Sequence, residues 1–182
     1  MGITVCQSPG KKPRDVTKNV KPDPESLYQT RGKWDNQYGD TLELSKLSGK
    51  IPIISMVFTR CTFACPRIVE DMQTIEAKLP PDKKSKVVFV LISFDSDRDH
   101  TTALKDFTKH MKLTKNWIVL HGGKEDVLEL SMLLNVKYKK ILNGDFTHSS
   151  GISMLDTKGI LVRQSEGLGK DPQEFIHAIT RL

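Results

Sequence analysis

Apolar and polar residues follow two different periods over most of the chain. The predicted strands span residues 42–44, 51–58, 87–92, 117–120, 152–155 and 160–162. The predicted helices carry apolar stripes over residues 68–79, 104–111, 127–134 and 175–179. Because strands and helices alternate, the pattern predicts an α/β domain in the order ββαβαβαββα, with helices packed on a sheet.

The N-terminal segment lacks these patterns. It contains Pro9, Pro13, Pro22 and Pro24 among Lys, Asp and Ser residues, and such a composition cannot bury enough apolar area to offset the entropy of ordering. We therefore expect a flexible linker over residues 1–33 and one domain over residues 34–182.

The linker contains Cys6, far in sequence from the other two cysteines. Residues 3–6 resemble the site where bacterial lipoproteins are cleaved and acylated, but Val5 is larger than the small residue usual there. We interpret Cys6 as an unpaired cysteine of the tail. No apolar signal-peptide core precedes it, so the protein is either cytosolic or missing a targeting or anchoring segment from this chain.

Composition limits the classes of function. The 182 residues are 37% hydrophobic and 27% charged, and no apolar run approaches the length of about 20 residues that a membrane-spanning helix needs. The net charge of +6 suits an acidic partner or an anionic membrane surface. Nucleic acid is not expected as a partner, because the basic clusters lack interleaved aromatic residues. We expect a monomer.

Cys61 and Cys65 lie where a buried strand gives way to a helix. Proline is tolerated only in the first turn of a helix, so Pro66 places Cys65 at or next to the helix N-terminus. Free N–H groups there, together with Arg60 and Arg67, favour a thiolate. We therefore predict at least one unusually acidic cysteine. The pair itself is compatible with a disulfide staple, a redox couple or half of a metal site.

A staple is the weakest of these interpretations, because so small a loop removes little entropy from the unfolded chain. A two-thiolate metal site needs a further ligand. His148 is the best candidate, since it lies in a loop predicted at residues 143–151, directly before the strand at residues 152–155. We assign ordinary surface or capping roles to the other histidines, which are His100, His110, His121 and His177.

Three segments, in this order, resemble the motifs of the Sco (SenC) family. They are a C-x-x-x-C-P loop at residues 58–66, an S-x-D-x-x-R-D segment at residues 93–99 and a histidine loop at residues 145–149. The resemblance extends from about residue 39 to the C-terminus. Sco proteins are thioredoxin-like copper-binding proteins involved in assembling cytochrome c oxidase.

The resemblance implies a thioredoxin-like fold with a central mixed sheet flanked by helices. It also implies that Cys61, Cys65 and His148 bind copper, and that the chain passes copper to the CuA site on an oxidase subunit or prepares the thiols of that site. The implied compartment is extracytoplasmic, either the bacterial periplasm with a membrane tether or the mitochondrial intermembrane space. Membrane association would then depend on a segment missing from this chain.

The ligand types agree with this implication. Two thiolates and one imidazole suit Cu(I), whereas zinc normally takes a fourth protein ligand. With Cu(II), water or an acidic side chain could fill a fourth position, and Asp95 is the candidate. An alternative interpretation of Asp95, Asp97 and Asp99 is capping of the following helix.

Two other functions remain open. A thiol-disulfide oxidoreductase would use Cys61 and Cys65 without obligatory metal, and a thiol peroxidase would need one cysteine that reacts rapidly with peroxide. No proline precedes Ile152, where ordinary thioredoxins present a cis-proline, and this weakens the interpretation as a general dithiol reductase. Enzymatic activity is therefore left open beside the role in copper delivery.

Overall fold

The computed structural model describes residues 23–142 and 144–182. The strands are β1 Trp34–Asn36, β2 Thr41–Leu42, β3 Ile51–Val57, β4 Val87–Ser93, β5 Trp117–Gly122, β6 Tyr138–Lys140, β7 Phe146–His148, β8 Gly151–Leu155 and β9 Leu161–Glu166. The α-helices are α1 Ala64–Ala77, α2 Thr101–His110, α3 Lys124–Leu133 and α4 Gln173–Arg181. Short 3₁₀ helices span Leu27–Gln29 and Leu44–Leu47.

Seven of the strands form one mixed sheet in the order β2-β1-β5-β4-β3-β8-β9. The three central strands, β5, β4 and β3, are parallel, and the other pairs are antiparallel. All of β3 is buried, as its continuous apolar run predicts for a central strand. In the register of the parallel pair, Val57 lies opposite Ser93, so β3 and β4 end at the same edge of the sheet.

Helices flank the sheet. Helix α1 packs on β3 and β8 and contacts α4, which packs on β9, while α2 packs on β5 and β1. The buried face of α1 carries the predicted apolar stripe, together with Cys65. The predicted mixed α/β fold is therefore confirmed.

Two short elements near the start of the domain differ from the prediction. Strand β1 was not predicted, because three residues are too few to show a period, but Trp34 is buried and the strand pairs with β5. The strand expected at residues 42–44 ends at Leu42. Leu44 and Leu47 instead lie on one side of a 3₁₀ turn, three residues apart, and both are buried.

The loop predicted at residues 143–151 is partly wrong. Strands β6 and β7 pair antiparallel and form a separate two-stranded sheet, with His148 opposite Tyr138. His148 is therefore the last residue of a strand. Both strands are only three residues long and partly exposed, so neither shows a clear hydrophobic period.

The described part of the predicted linker packs on the domain. Leu27 belongs to the hydrophobic core, is only 4% exposed and donates its N–H to the Gly159 carbonyl. Gly159 has a φ of +84°, and a Cβ there would lie 2.7 Å from the Tyr28 ring. Residues before Trp34 therefore pack with the domain, because Leu27 is buried among core residues that its local sequence does not reveal. Residues 1–22, including Cys6, lie outside the described residues.

Among the helices of the described residues, none has the length and apolar character required to span a bilayer.

The buried position of Leu27 can be tested by Leu27→Ala. We expect a loss of about 2–4 kcal/mol in the free energy of unfolding, because the change removes buried methyl groups and leaves a cavity. Urea unfolding would measure it. Leu142→Ala is the control, since Leu142 is fully exposed and a change of less than about 0.5 kcal/mol is expected there. Equal stability of the two variants would contradict the packing of this segment.

Candidate metal centre

The cysteine loop leaves the sheet at the end of β3. Phe58 is buried, residues 59–63 form the loop, and α1 begins at Ala64, so Cys65 lies next to the helix N-terminus as predicted. Pro66 lies in the first turn, where its missing N–H costs nothing. Cys65 is therefore buried at the start of the helix, whereas Cys61 is partly exposed in the loop.

The helix N-terminus acts on Cys61. The backbone N–H of Cys65 donates to Cys61 Sγ at 3.3 Å. The Cys65 S–H, followed by the backbone N–H groups of Cys65 and Phe63, lowers the pKa of Cys61 to about 4 against the opposing effect of burial. The predicted acidic cysteine is therefore Cys61.

Cys65 has the opposite character. Its pKa is raised because its S–H donates to Cys61 and because the thiol is buried, and the nearby Asp99 carboxylate adds to the effect. The arginines are not the main causes of these shifts, since Arg60 is exposed and Arg67 pairs with Glu70 at 3.1 Å. The two shifts thus favour a thiolate at Cys61 and a thiol at Cys65.

His148 completes the group from the β6–β7 hairpin. Its Nε2 atom lies 3.7 Å from Cys65 Sγ. Its Nδ1 atom lies 3.0 Å from the Ser149 carbonyl oxygen. Because a carbonyl only accepts, Nδ1 donates to it, and Nε2 is the ring nitrogen that faces the sulfur atoms.

The three candidate ligands converge. Their ligand atoms all lie within 4.8 Å of one another, and no other trio of His, Cys, Asp or Glu side chains meets this criterion in residues 23–142 and 144–182. Two sulfur atoms and one imidazole nitrogen form a soft donor set that can hold a metal ion. The sequence-predicted residues Cys61, Cys65 and His148 are thus brought together by the fold.

Aromatic side chains surround the imidazole. The ring centroids of Phe58 and Phe94 lie 6.1 Å and 5.1 Å from that of His148. Phe146 packs against both phenylalanines, and Tyr138 stacks on Phe94. These rings pack around the histidine and restrict the orientation of its ring.

Asp95, the candidate fourth ligand, is not part of the group. Its side chain is buried and forms an ion pair with Arg98. The alternative capping role is also wrong, because the N-cap residue of α2 is His100 and no side chain caps it. Asp97 instead pairs with lysines of α3 and β6, namely Lys124 and Lys140.

Asp99 holds the start of the cysteine loop, a role that the sequence did not predict. It is completely buried and accepts hydrogen bonds from the Thr59 N–H at 2.8 Å, the Thr59 hydroxyl at 2.6 Å and the Ser93 hydroxyl at 2.6 Å. Thr59 begins the cysteine loop. The available signal was an aspartate in the loop that follows β4, because β3 and β4 are parallel neighbours and the loop after one can reach the loop after the other.

The remaining histidines lie outside the group. His110 and His177 are exposed on α2 and α4, as expected for surface residues. His100 and His121 pack edge to face with ring centroids 5.8 Å apart, and His121 Nε2 lies 3.9 Å from a carboxylate oxygen of Asp35.

The chain matches the SCO1/SenC family model over residues 22–182. Because the match covers most of the chain, this protein belongs to the SCO1/SenC family.

Solved structures with the same fold include three Sco proteins. A SCO1/SenC family lipoprotein from Bacillus anthracis is 26% identical, with a TM-score of 0.75 over 82% of this chain and 91% of that chain. Copper-bound ScoI from Arabidopsis thaliana is 21% identical, with a TM-score of 0.72 over 82% and 94% of the two chains. BsSco, a member of the Sco family of cytochrome c oxidase assembly proteins in which a disulfide switch was identified, is 23% identical, with a TM-score of 0.71 over 81% and 88%.

The asymmetry of the two thiols predicts a pH profile for alkylation. Only thiolates react with iodoacetamide, so modification of Cys61 in the reduced, metal-free protein should persist at neutral pH and decline as the pH falls through about 4. In Cys65→Ala the strongest donor to Cys61 is lost, so the pKa of Cys61 rises and the profile moves to higher pH. Peptide mass spectrometry would measure both profiles.

Cys61→Ala provides the matched control, because it reports Cys65 alone. A wild-type midpoint near about 8.5, the value of a free cysteine, would contradict the assignment of the thiolate to Cys61.

Proposed function

We propose that Cys61, Cys65 and His148 bind copper, and that the protein delivers copper to the CuA site of cytochrome c oxidase. The observation that supports this most directly is the convergence of two sulfur atoms and the His148 Nε2 atom. Family membership and the copper bound by the Arabidopsis relative favour copper over other ions.

The donor set fits this ion. Thiolate and imidazole ligands retain Cu(I), while a structural zinc site takes four protein ligands, and the described residues bring only three together. When bound, copper would supply a soft Lewis acid that holds both sulfurs as thiolates. Cys65 must therefore release its proton on binding, and its raised pKa makes copper affinity increase with pH.

The exposure of the candidate ligands is compatible with the transfer of a copper ion to a partner protein. Cys61 and His148 are partly exposed, whereas Cys65 is buried. A partner can therefore approach the centre from the side of Cys61. The proposed partner is the copper-bearing subunit of the oxidase, or another protein with thiol ligands for copper. BsSco, as a member of a family of oxidase assembly proteins, supports this choice.

Thiol reduction is the second candidate function, favoured by the partial exposure of Cys61 beside a buried second thiol. The Cys61 thiolate attacks a partner disulfide, a mixed disulfide forms and the displaced partner sulfur takes a proton. Cys65 then loses its proton and attacks Cys61 Sγ, which releases the second partner thiol. Two electrons pass to the partner, and a Cys61–Cys65 disulfide remains.

The proposed location is extracytoplasmic, with attachment to a membrane through a segment outside the described residues. The lipoprotein from Bacillus anthracis supports this placement. A monomeric state remains a prediction.

Copper binding is tested by His148→Ala. We expect the affinity for Cu(I) to fall by at least the order of 100-fold, because an imidazole ligand is lost. Competition with a chromophoric Cu(I) chelator would measure the affinity. His177→Ala is the control, since His177 is exposed on α4. Unchanged copper affinity in His148→Ala would refute the three-ligand centre. We expect this variant to retain dithiol exchange, because both cysteines remain.

Oxidation state should control copper binding. A Cys61–Cys65 disulfide has no thiolate to donate, so the oxidised protein should show no thiolate-to-copper charge-transfer absorption with Cu(II). Reduction followed by removal of the reductant should restore the band. Equal copper binding by the oxidised and reduced proteins would favour ligands other than the cysteines.

A further inference from the structure

The metal centre has two halves, the cysteine loop and the histidine hairpin, and strand pairing does not join the elements that carry them. Cys61 and Cys65 lie between β3 and α1, whereas His148 belongs to the two-stranded β6–β7 sheet. Within the described residues, no strand pairing joins this small sheet to the seven-stranded one. Apart from the two residues that join β7 to β8, which pairs with β3, side-chain contacts set the position of the histidine relative to the cysteines.

One loop contacts both halves. It follows β4 and spans residues 94–100, and we refer to it as the β4–α2 loop. It lies beside the cysteine loop because β3 and β4 are parallel neighbours that end at the same edge. The Phe94 N–H donates to the Val57 carbonyl, which continues the pairing to the end of β3.

Asp99 joins the β4–α2 loop to the cysteine half. Its carboxylate accepts the N–H and the hydroxyl of Thr59, two residues before Cys61, and also the hydroxyl of Ser93. A buried carboxylate is stable only when its oxygens are hydrogen-bonded, so these donors must remain in place. The start of the cysteine loop is consequently held to one position.

Arg98, the preceding residue, joins the same loop to the histidine half. Its Nε–H donates to Asp95, its Nη2 atom lies 3.9 Å from an Asp145 carboxylate oxygen and its guanidinium carbon lies 5.9 Å from the centre of the Phe146 ring. Phe146 lies two residues before His148 on β7. A planar guanidinium can pair with carboxylates and pack on an aromatic ring at the same time. A lysine ammonium makes this combination of contacts less well.

We propose that Arg98 and Asp99 are positioning residues that hold the two halves of the centre in register, Arg98 through the histidine hairpin and Asp99 through the cysteine loop. Because they are adjacent in one loop, a displacement of either half is transmitted to the other. The arrangement sets the distance between the sulfur atoms and Nε2 before any metal arrives. Such prior placement lowers the cost of ordering the ligands on binding.

The inference deepens the proposed function, but its first test uses the reduced, metal-free protein. Thr59→Val removes one donor to Asp99 without changing charge. If the loop loosens, the contact between the Cys65 N–H and Cys61 Sγ weakens, and the alkylation profile of Cys61 moves to higher pH. Asp106→Asn is the control, because Asp106 is an exposed residue of α2 and no change is expected.

Asp99→Asn separates positioning from simple electrostatics. Removal of a negative charge would by itself favour the nearby thiolates and move the profile of Cys61 to lower pH. Loss of the loop geometry moves it to higher pH. A profile shifted to lower pH, or unchanged in both Thr59→Val and Asp99→Asn, would overturn the role of Asp99.

Arg98→Lys tests the histidine half while keeping a cation beside Asp95. The ring ¹⁵N and ¹H signals of His148 report the Nδ1–H tautomer and its hydrogen bond to Ser149, and we expect them to shift or broaden. Because the loop is shared, Thr59→Val should also perturb these signals. Wild-type His148 signals in both variants would overturn the link between the halves.

A double-mutant cycle on Cu(I) affinity completes the test. We expect Thr59→Val and Arg98→Lys each to weaken Cu(I) binding by the order of 10-fold. The loss of affinity in the double variant should be at least about threefold smaller than the product of the two single losses. Independent effects would refute a shared support. If the wild-type protein bound no copper while the metal-free signals shifted as expected, the proposed function would fail and the positioning role would stand.

Discussion

Strands β3 and β4 run parallel in the middle of the sheet and end together, with Val57 opposite Ser93. Since a parallel pair requires a crossover, the chain must leave β3 through a loop and a helix before it returns as β4. The loop after β3 carries the cysteines, and the loop after β4 carries Asp99. The hydrogen bonds between Thr59 and Asp99 are a direct consequence of this adjacency.

The same crossover determines the chemistry of the sulfurs. Helix α1 begins within the cysteine loop, so its first N–H groups lack partners inside the helix. One of them donates to Cys61 Sγ, and the neighbouring thiol of Cys65 remains buried. The hydrogen bond between the two thiols, together with the first N–H groups of the helix, thus favours an accessible thiolate at Cys61 and a protected thiol at Cys65. Copper binding and disulfide exchange both depend on this difference, and a Cys61–Cys65 disulfide would prevent copper binding.

The aromatic cluster explains how a short hairpin can carry a ligand. Phe58 and Phe94 directly follow the two central strands, and both pack against Phe146 and the His148 ring. Three-residue strands supply few backbone hydrogen bonds, so the burial of these rings supplies much of the attachment. The Ser149 carbonyl accepts from Nδ1, so Nε2 is the nitrogen that faces the position of a metal ion.

The central strands, the helix that starts beside Cys65 and the three candidate ligands could be predicted from the sequence, because apolar periods and Pro66 act locally and the family motifs name the ligands. The short strands, the burial of Leu27, the identity of the acidic cysteine and the role of Asp99 could not be predicted. Each depends on atoms far apart in sequence, such as Thr59 and Asp99 or Leu27 and Gly159. Local sequence determines which elements form, whereas hydrogen bonding, pKa values and ligand distances depend on which elements meet, and only the tertiary structure decides that.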